Sequence, residues 1–222
     1  MPRLDLRLKT VTKRIRSAVH ADIGSDHGNL LVALLQGGRI GRGLAVENKR
    51  QPFLNSQLAL TGLNAEVRFG DGLGVIDKNE ADSLSICGIG GQKMVEILSA
   101  HPDRIPPKFV LQPNRKPELI RRWAFEHGFH LTDETIAQGH WPYQIMSFQQ
   151  GDAGEDPAYR DVDFEAAIRF GPLLLKQRDP DLLRQLETEF EYLSQFGRLN
   201  ADGSTRLGLI TRLLRSGIRT CL

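Results

Sequence analysis

Residues 21–28, which read ADIGSDHG, have types and spacing suited to binding a nucleotide-like ligand. An apolar strand pattern precedes Asp22, Gly24 permits a tight turn, and Gly28 opens a helical pattern. The N-terminus of such a helix offers unpaired N–H groups to a polar or anionic group. Asp22 would repel a pyrophosphate, but it would pair with an ammonium group directly or through water. The segment therefore favours S-adenosylmethionine over NAD, and its G-x-x-x-G spacing also departs from the dinucleotide pattern.

Two further acids follow predicted strands. Glu47 ends the second strand about 20 residues beyond the glycine turn, where an acid accepts hydrogen bonds from ribose hydroxyls. Asp71, between two glycines, could accept a hydrogen bond from the adenine amine. Each of these acids could instead be a helix N-cap, but the carboxyl ends of strands are where open α/β sheets bind ligands. The predicted cofactor-binding residues are Asp22, Gly24, Ser25, His27, Gly28, Glu47, Asp71, Gly72 and Gly88.

Two more loops could contact a substrate. Residues 87–91 contain three glycines after the fourth strand, and we expect Gly90 and Gly91 to form a flat floor for a planar base. A plain glycine-rich turn is the alternative. After the fifth strand, Gln112 and Asn114 could read a Watson–Crick edge while Pro113 stiffens the loop, or this segment only begins the next helix.

The elements that must position these residues alternate along the first 150 residues as strand and helix, which predicts a mostly parallel sheet. A hairpin of residues 129–136 and 143–148, joined by the short connection 137–142, ends the pattern. A parallel sheet that ends in a hairpin is typical of class I methyltransferases, an α/β Rossmann-like fold. The predicted strands are 18–23, 42–46, 66–69, 83–87 and 109–111, and the helices are 29–35, 52–60, 92–99 and 117–127.

The polar stretch 149–156 predicts a boundary between a methyltransferase domain, residues 1–151 with a basic N-terminal helix, and a helical C-terminal domain, residues 152–222. Apolar spacing predicts helices at 164–177, 182–196 and 207–214. The middle helix approaches a heptad repeat, which favours an antiparallel helical pair or a short coiled coil over an independent globular core.

The net charge is only +2, but basic residues are concentrated at both ends. Clustered Lys and Arg are suited to phosphate backbones, although solvated helix faces have the same composition. The basic residues are Arg3, Arg7, Lys9, Lys13, Arg14 and Arg16 against the single acid Asp5, and Arg206, Arg212, Arg215 and Arg219 with no acid after Asp202.

Cysteine usage and hydropathy predict a protein of the reducing cytoplasm. Cys87 and Cys221 have neither disulfide-framework nor metal-ligand spacing, so we expect no metal. The N-terminus lacks an apolar signal-peptide core, and no run of 18 apolar residues occurs, so we expect no membrane association.

The chain resembles the bacterial tRNA (adenine(22)-N(1))-methyltransferases over nearly its whole length. The resemblance rests on LRLKTVTKRI, ADIGSDHG, FLNSQLALTGL, RFGDGLGVI, ICGIGG, LQPN, RRWAFEHGF, YQIMSF and FGPLLLKQRDPDLLRQL. It implies S-adenosylmethionine as cofactor, S-adenosylhomocysteine as product, and the D-arm region of tRNA as substrate. Separately, we expect the protein to be a monomer.

The implied reaction needs no strong base, because the N1 of adenine has an in-plane lone pair that can attack the methyl group directly. Catalysis would depend on positioning and on removing the adenine from its stack. We expect Asp26 to orient the exocyclic amine or stabilise the developing positive charge, unless it only caps the next helix, with Asn114 as the second candidate. The alternatives are a methyltransferase for a small molecule, protein or other RNA site, a non-catalytic RNA-binding module, and NAD-dependent chemistry.

Overall fold

A computed structural model describes residues 4–216, so Arg3, Arg219 and Cys221 lie outside the described residues. The chain divides into two compact units, Met1–Arg160 and Asp161–Leu222. This division falls later than the predicted boundary after residue 151, because the polar stretch is bonded to the first unit. Gly154 N–H donates to the Phe125 carbonyl at 2.9 Å, and the Asp156 carboxylate accepts from Leu131 N–H at 2.7 Å.

The first unit contains a seven-stranded sheet in the order β3-β2-β1-β4-β5-β7-β6. Strands β1 to β5 are parallel, β7 is antiparallel to β5, and β6 pairs antiparallel with β7. This topology confirms the predicted α/β, Rossmann-like sheet with a terminal hairpin. The strands are β1 Ser17–Ile23, β2 Ile40–Glu47, β3 Ala65–Phe69, β4 Ser83–Cys87, β5 Lys108–Gln112, β6 Phe129–Ala137 and β7 Tyr143–Gln150.

Helices alternate with the parallel strands, as the sequence predicts. The basic α1 begins after Asp5, whose carboxylate accepts from Leu8 N–H at 2.7 Å and so satisfies one of the unpaired donors of its first turn. Pro117 begins α5, where its missing N–H costs nothing. The helices of this unit are α1 Leu6–Arg14, α2 Asn29–Gln36, α3 Arg50–Ala59, α4 Gly91–Ala100 and α5 Pro117–Glu126.

The central strands of the sheet form part of the hydrophobic core, and their carboxyl ends locate the candidate site. Leu44, Leu84 and Ile86 on the central strands are completely buried, as are Leu31 and Leu34 of α2. Burial of such side chains is the main favourable term in folding. The strand order reverses between β1 and β4, and at such a switch point the crossover helices leave a crevice at the carboxyl ends of the strands.

The described part of the second unit, residues 161–216, contains four helices, α6 Phe164–Phe170, α7 Pro172–Gln177, α8 Pro180–Ser194 and α9 Ala201–Ser216. The prediction of one helix over 164–177 is wrong, because Gly171 has φ 108° and Pro172 cannot donate a helical hydrogen bond. The Arg206 guanidinium pairs with the Glu189 carboxylate and so joins α9 to α8.

Among residues 4–216, no helix is long and apolar enough to cross a membrane. Within the same range, no three His, Cys, Asp or Glu side chains are grouped so that they could hold a metal ion.

A buried ion pair fixes α5 to the hairpin. Arg121 Nε donates to Glu134 Oε1 at 2.7 Å, and both side chains are completely buried. We expect Glu134→Gln to lower the free energy of unfolding by about 3–5 kcal/mol, because it leaves a buried guanidinium without its countercharge. Urea denaturation followed by circular dichroism measures this loss.

The neighbouring residue provides the control. Asp133 is half-exposed and pairs with Arg14, so Asp133→Asn should cost less than about 1 kcal/mol. Equal losses for the two variants would contradict the assignment of Arg121 and Glu134 as a buried structural pair.

Candidate active site

A cavity of about 500 Å³ lies at the carboxyl ends of the central strands. Its size is within the roughly 300–1,000 Å³ range of small-molecule sites. The cavity brings together eight of the residues predicted from sequence, namely Asp22, Gly24, Ser25, Asp26, His27, Glu47, Gly88 and Asn114.

The Asp22 carboxyl group, at the end of β1, is only 3% exposed. Burial raises its pKa to about 6, and the hydrogen bond that it accepts from the Ser85 hydroxyl at 2.6 Å acts in the opposite direction. Gly24, with φ 73°, turns the chain immediately beyond it. Because a desolvated carboxylate is costly, a cationic group in the cavity would be bound favourably here.

A buried chain of hydrogen bonds runs from Asp22 into the sheet through Ser85. His20 is completely buried between two serines, with Nε2 at 2.9 Å from Ser85 Oγ and Nδ1 at 2.6 Å from Ser83 Oγ. Burial lowers the pKa of His20 to about 3, so its ring is neutral. Because the Ser85 hydroxyl hydrogen goes to Asp22, Nε2 of His20 donates to Ser85 and Nδ1 accepts from Ser83. Sequence reasoning missed His20, whose only signal is a polar residue inside an apolar strand.

Glu47, at the end of β2, holds the loop that carries Asp26. One Glu47 carboxylate oxygen accepts the Asp26 N–H, and the Ser56 hydroxyl donates to the Asp26 carbonyl at 3.4 Å. Burial, with smaller contributions from the charges of Asp22 and Asp26, raises the pKa of Glu47 to about 7, and the hydrogen bond from the Asp26 N–H acts in the opposite direction. These contacts keep Asp26 in the left-handed region, with φ 57°.

The Asp26 carboxylate itself is 71% exposed, and its Oδ2 lies 3.6 Å from His27 Nε2. Helix α2 is preceded by Gly28 and has no side-chain cap, so Asp26 does not cap it. Asp22 and Glu47 are not caps either, because α2 follows Gly28 and α3 follows Lys49. The loop therefore presents a carboxylate that no helix end requires.

Asp71, which precedes Gly72, is joined by a hydrogen bond to a residue of the cavity wall. The Asp71 carboxylate does not cap the short 3-10 helix Gly72–Val75 that follows it, and it accepts a hydrogen bond at 3.0 Å from the amide of Asn48, which lines the cavity. Neither Asp71 nor Gly72 forms part of the cavity wall. Asp71 therefore acts on the cavity through Asn48.

The structure corrects the interpretation of Gln112. Its side chain is completely buried, its Oε1 accepts from the Gly88 N–H at 3.1 Å, and its Nε2 donates to Asn114 Oδ1 at 3.2 Å. The Asn114 amide in turn donates to the Gly88 carbonyl at 2.6 Å. Gln112 is therefore used to join the loops after β4 and β5 and has no free edge for a base.

Gly90, Gly91, Pro113 and Gly28 also lie outside the cavity wall, where Gly88 and Ile89 are found instead. A Cβ on Gly91 would lie 2.2 Å from the Lys116 carbonyl oxygen, so this glycine permits the close approach of two loops. A Cβ on Gly28 would lie 3.3 Å from the Leu60 side chain, which packs above it. Gly91 and Gly28 therefore permit close packing around the site, whereas nothing lies within 4 Å of a Cβ added to Gly90.

Several residues of the cavity were not predicted to belong to it. Arg7 of α1 donates from Nη1 to Gln112 Oε1, and its guanidinium lies 5.6 Å from the centre of the Tyr143 ring. The sequence showed Arg7 only as part of a basic stretch. Ser25 Oγ is buried and lies close enough to the Asp22 carboxyl group to lower its pKa. The other unpredicted wall residues include Asp5, Leu8, Asn29, Asn48, Lys49 and Pro52.

Comparison with known proteins shows which family this chain is similar to. The model of the family TrmK, tRNA (adenine(22)-N(1))-methyltransferase, matches residues 20–202. The tRNA (adenine(22)-N(1))-methyltransferase of Bacillus subtilis (strain 168) is 35% identical over 198 residues, which cover 86% of this chain and 82% of that protein.

Solved structures share the fold over nearly the whole chain. The crystal structure of the B. subtilis M1A22 tRNA methyltransferase TrmK has a TM-score of 0.84 and 30% identity, covering 97% of this chain and 99% of that one. M. capricolum TrmK, solved with S-adenosyl-homocysteine, has a TM-score of 0.79 at 23% identity and covers 97% of both chains. On the family match and the B. subtilis relative, the chain belongs to the TrmK family of tRNA (adenine(22)-N(1))-methyltransferases.

Proposed function

We propose that the protein transfers the methyl group of S-adenosylmethionine to N1 of adenine 22 in tRNA, leaving S-adenosylhomocysteine. The observation that carries this proposal is the buried Asp22 carboxyl group, which faces the same cavity as the Glu47 carboxyl at the end of the next strand. The M. capricolum relative was solved with this cofactor product, and a Streptococcus pneumoniae protein of the same fold was solved with S-adenosyl-L-methionine.

The residues present fit that cofactor. Asp22 would hold its ammonium, the Glu47 oxygen not required by Asp26 would accept from the ribose, and Gly24 gives the backbone room for close approach, since nothing lies within 4 Å of an added Cβ. The buried Ser25 hydroxyl, next to Asp22, provides another polar contact. Bound S-adenosylmethionine would supply an electrophilic methyl group on sulfur.

Asp26 is the residue that we assign to the incoming adenine. When N1 attacks, the new N–C bond gives the base a positive charge while the S–C bond breaks, and no proton need be removed. An exposed carboxylate at the cavity can orient the exocyclic amine and stabilise that charge. Asn114 has its amide bonded to Gly88 and Gln112, so its contribution is to position the loops.

We assign tRNA binding to basic residues of both units, since structured RNA is recognised largely through shape and phosphates. On α1, Lys9 and Lys13 are exposed, whereas Arg14 pairs with Asp133. In the second unit, Arg206 is bonded to Glu189 and Arg212 lies 3.5 Å from an Asp163 carboxylate oxygen, so the exposed Arg215 is the better candidate for a phosphate contact. We also propose that the protein acts as a monomer and that it works in the cytoplasm, where tRNA is found.

The direct test is incubation of the protein with labelled S-adenosylmethionine and unmodified tRNA, followed by mapping of the modified nucleoside. We expect 1-methyladenosine at position 22 of the D-arm region. Methylation at another atom or position would contradict the proposed substrate while leaving the methyltransferase assignment intact. Binding of the cofactor without transfer to any RNA would contradict both.

Asp26→Asn tests the catalytic assignment without disturbing the loop, because asparagine tolerates the left-handed conformation. We expect kcat to fall on the order of a hundredfold, with the cofactor dissociation constant nearly unchanged. Single-turnover methylation and calorimetry measure these two quantities.

Asp161→Asn is the matched control, since Asp161 is also an aspartate with positive φ, 61°, and belongs to the second unit. It should leave both quantities near their wild-type values. Normal turnover by Asp26→Asn would remove Asp26 from the mechanism.

The raised pKa of Asp22 predicts pH-dependent cofactor binding. An ammonium pairs only with the ionised carboxylate, so the contribution of Asp22 to affinity should be complete well above pH 6 and should fall as the pH drops through about 6. The limiting slope is about tenfold per pH unit. Calorimetric titration between pH 5 and pH 8 measures it.

The Asp22→Asn variant should bind the cofactor weakly and should not lose affinity as the pH drops through 6. It should keep only a smaller pH dependence of affinity that arises from Glu47, whose pKa is about 7. The unliganded variant should also unfold at a higher temperature than wild type at pH 8. The folded-state pKa of Asp22 is raised, so its ionisation costs stability as the pH rises from about 4 to about 6. Identical pH profiles for variant and wild type would argue against an Asp22–ammonium pair.

A further inference from the structure

The connection between β6 and β7 presents an indole side chain to solvent beside the candidate active site. Because β7 runs antiparallel to β5, its first residue, Tyr143, lies at the carboxyl-end edge of the parallel strands and forms part of the cavity wall. Trp141, two residues earlier, lies outside that wall and is 71% exposed. Its ring contacts no aromatic or cationic side chain among residues 4–216, and its indole N–H has no hydrogen-bond acceptor there.

The same connection is packed so that it holds Trp141 in a defined place. Ala137 and Tyr143 are paired across the hairpin, so the turn is made by residues 138–142 alone. A Cβ on Gly139 would lie 3.0 Å from the Tyr143 ring, which shows that the turn packs closely on that ring. Pro142 restricts the backbone of the residue before it to extended conformations. The indole is therefore a rigid apolar surface that exists before any ligand binds.

The loop after β5 adds two cations at the same edge of the sheet. Asn114 lines the cavity, and Arg115 and Lys116 follow it directly in the chain. Both side chains are exposed, and neither is paired with a carboxylate within the described range 4–216. Since β5 and β7 are neighbouring strands, these cations and the indole lie beside the same part of the cavity wall.

This juxtaposition has a recognised ligand chemistry. A single exposed apolar side chain is ordinary on a protein surface. An aromatic ring beside unpaired cations is the arrangement by which proteins bind unstacked nucleotides, with the base on the ring and the phosphates on the cations. Methyl transfer to N1 creates such nucleotides, because N1 is on the base-pairing edge and the adenine must leave its stack. The neighbouring base then has one face without a stacking partner.

We propose that Trp141 stacks on the base of a nucleotide that flanks the extruded adenine, while Arg115 and Lys116 contact phosphates of the same stretch of tRNA. This inference rests on the proposed function and adds a specific tRNA contact outside the cofactor cavity. Stacking on the flanking base would compensate for the stacking that is lost when the adenine is extruded.

The first test measures the affinities for tRNA and for cofactor on the same variants. Trp141→Ala should weaken binding of unmodified tRNA by roughly tenfold, because one base–aromatic stack is lost, and should leave the S-adenosylmethionine dissociation constant unchanged. Trp141→Phe should recover most of the tRNA affinity. Leu58→Ala is the control, since Leu58 is another exposed apolar residue outside the cavity wall, and it should leave both affinities unchanged.

The second test identifies the contacted group with two tRNAs, each lacking the base on one side of adenine 22. With one of them, the effect of Trp141→Ala should fall below about threefold, because the stacking partner is already absent. Arg115→Gln should weaken binding of intact and abasic tRNAs alike and reduce the salt dependence, because the phosphates remain. Lys78→Gln, at an exposed cation in the connection before β4, should change neither.

Tryptophan fluorescence reports directly on the proposed contact. The chain has two tryptophans, and Trp123 is buried, stacked on Phe129 and bonded through its indole N–H to Ser99. We expect tRNA to quench the emission of the wild-type protein and to protect it from acrylamide. Trp141→Phe should abolish both changes, because only the buried Trp123 remains.

Unchanged tRNA affinity of Trp141→Ala would overturn the inference. An equal loss with intact tRNA and both abasic tRNAs would overturn it in favour of a contact other than base stacking. Weakened binding of S-adenosylmethionine would instead make Trp141 a support of the cavity. A wild-type protein that did not methylate adenine 22 would contradict the proposed function before Trp141 was tested, so the two failures are distinguishable.

Discussion

The cost of burying the Asp22 carboxyl group is the constraint on which the site depends. At the end of a central strand it is removed from water, and burial raises its pKa to about 6 even though Ser85 donates a hydrogen bond to it. His20 and Ser83 continue this chain of hydrogen bonds into the sheet. The neutral His20 ring orients Ser85, whose hydroxyl donates to Asp22. A bound cation would therefore stabilise the ionised Asp22 carboxylate, and binding of such a ligand can offset the free-energy cost of burying that charge.

The loops around Asp22 are ordered by hydrogen bonds within the protein. Glu47 holds the Asp26 backbone in a left-handed conformation, which leaves the Asp26 carboxylate exposed. On the other side, Gln112 and Asn114 bond the loop after β5 to the Gly88 loop. Both arrangements use buried polar atoms to fix loop backbone, as is expected where a site must be formed before the ligand arrives.

The two units have different architectures. The first unit contains a sheet with a crevice where the strand order reverses, whereas the described part of the second contains four helices, of which α8 and α9 are joined by the ion pair of Glu189 and Arg206. The Gly171–Pro172 break between α6 and α7 shows that backbone chemistry overrides an apolar pattern that would otherwise continue as one helix.

The sequence by itself determined the strand and helix order, the terminal hairpin and the positions of Asp22, Glu47 and Asp26, because hydrophobic periodicity and glycine turns are local properties of the chain. It did not show that Gln112 is turned inward, that Gly91 serves loop packing, or that Asp71 reaches the cavity only through Asn48. Nor did it place Arg7 in the cavity or His20 beneath Asp22. Those facts depend on residues far apart in the chain meeting across strands and loops, and only the tertiary structure decides which polar atoms are used in such contacts and which remain for a ligand.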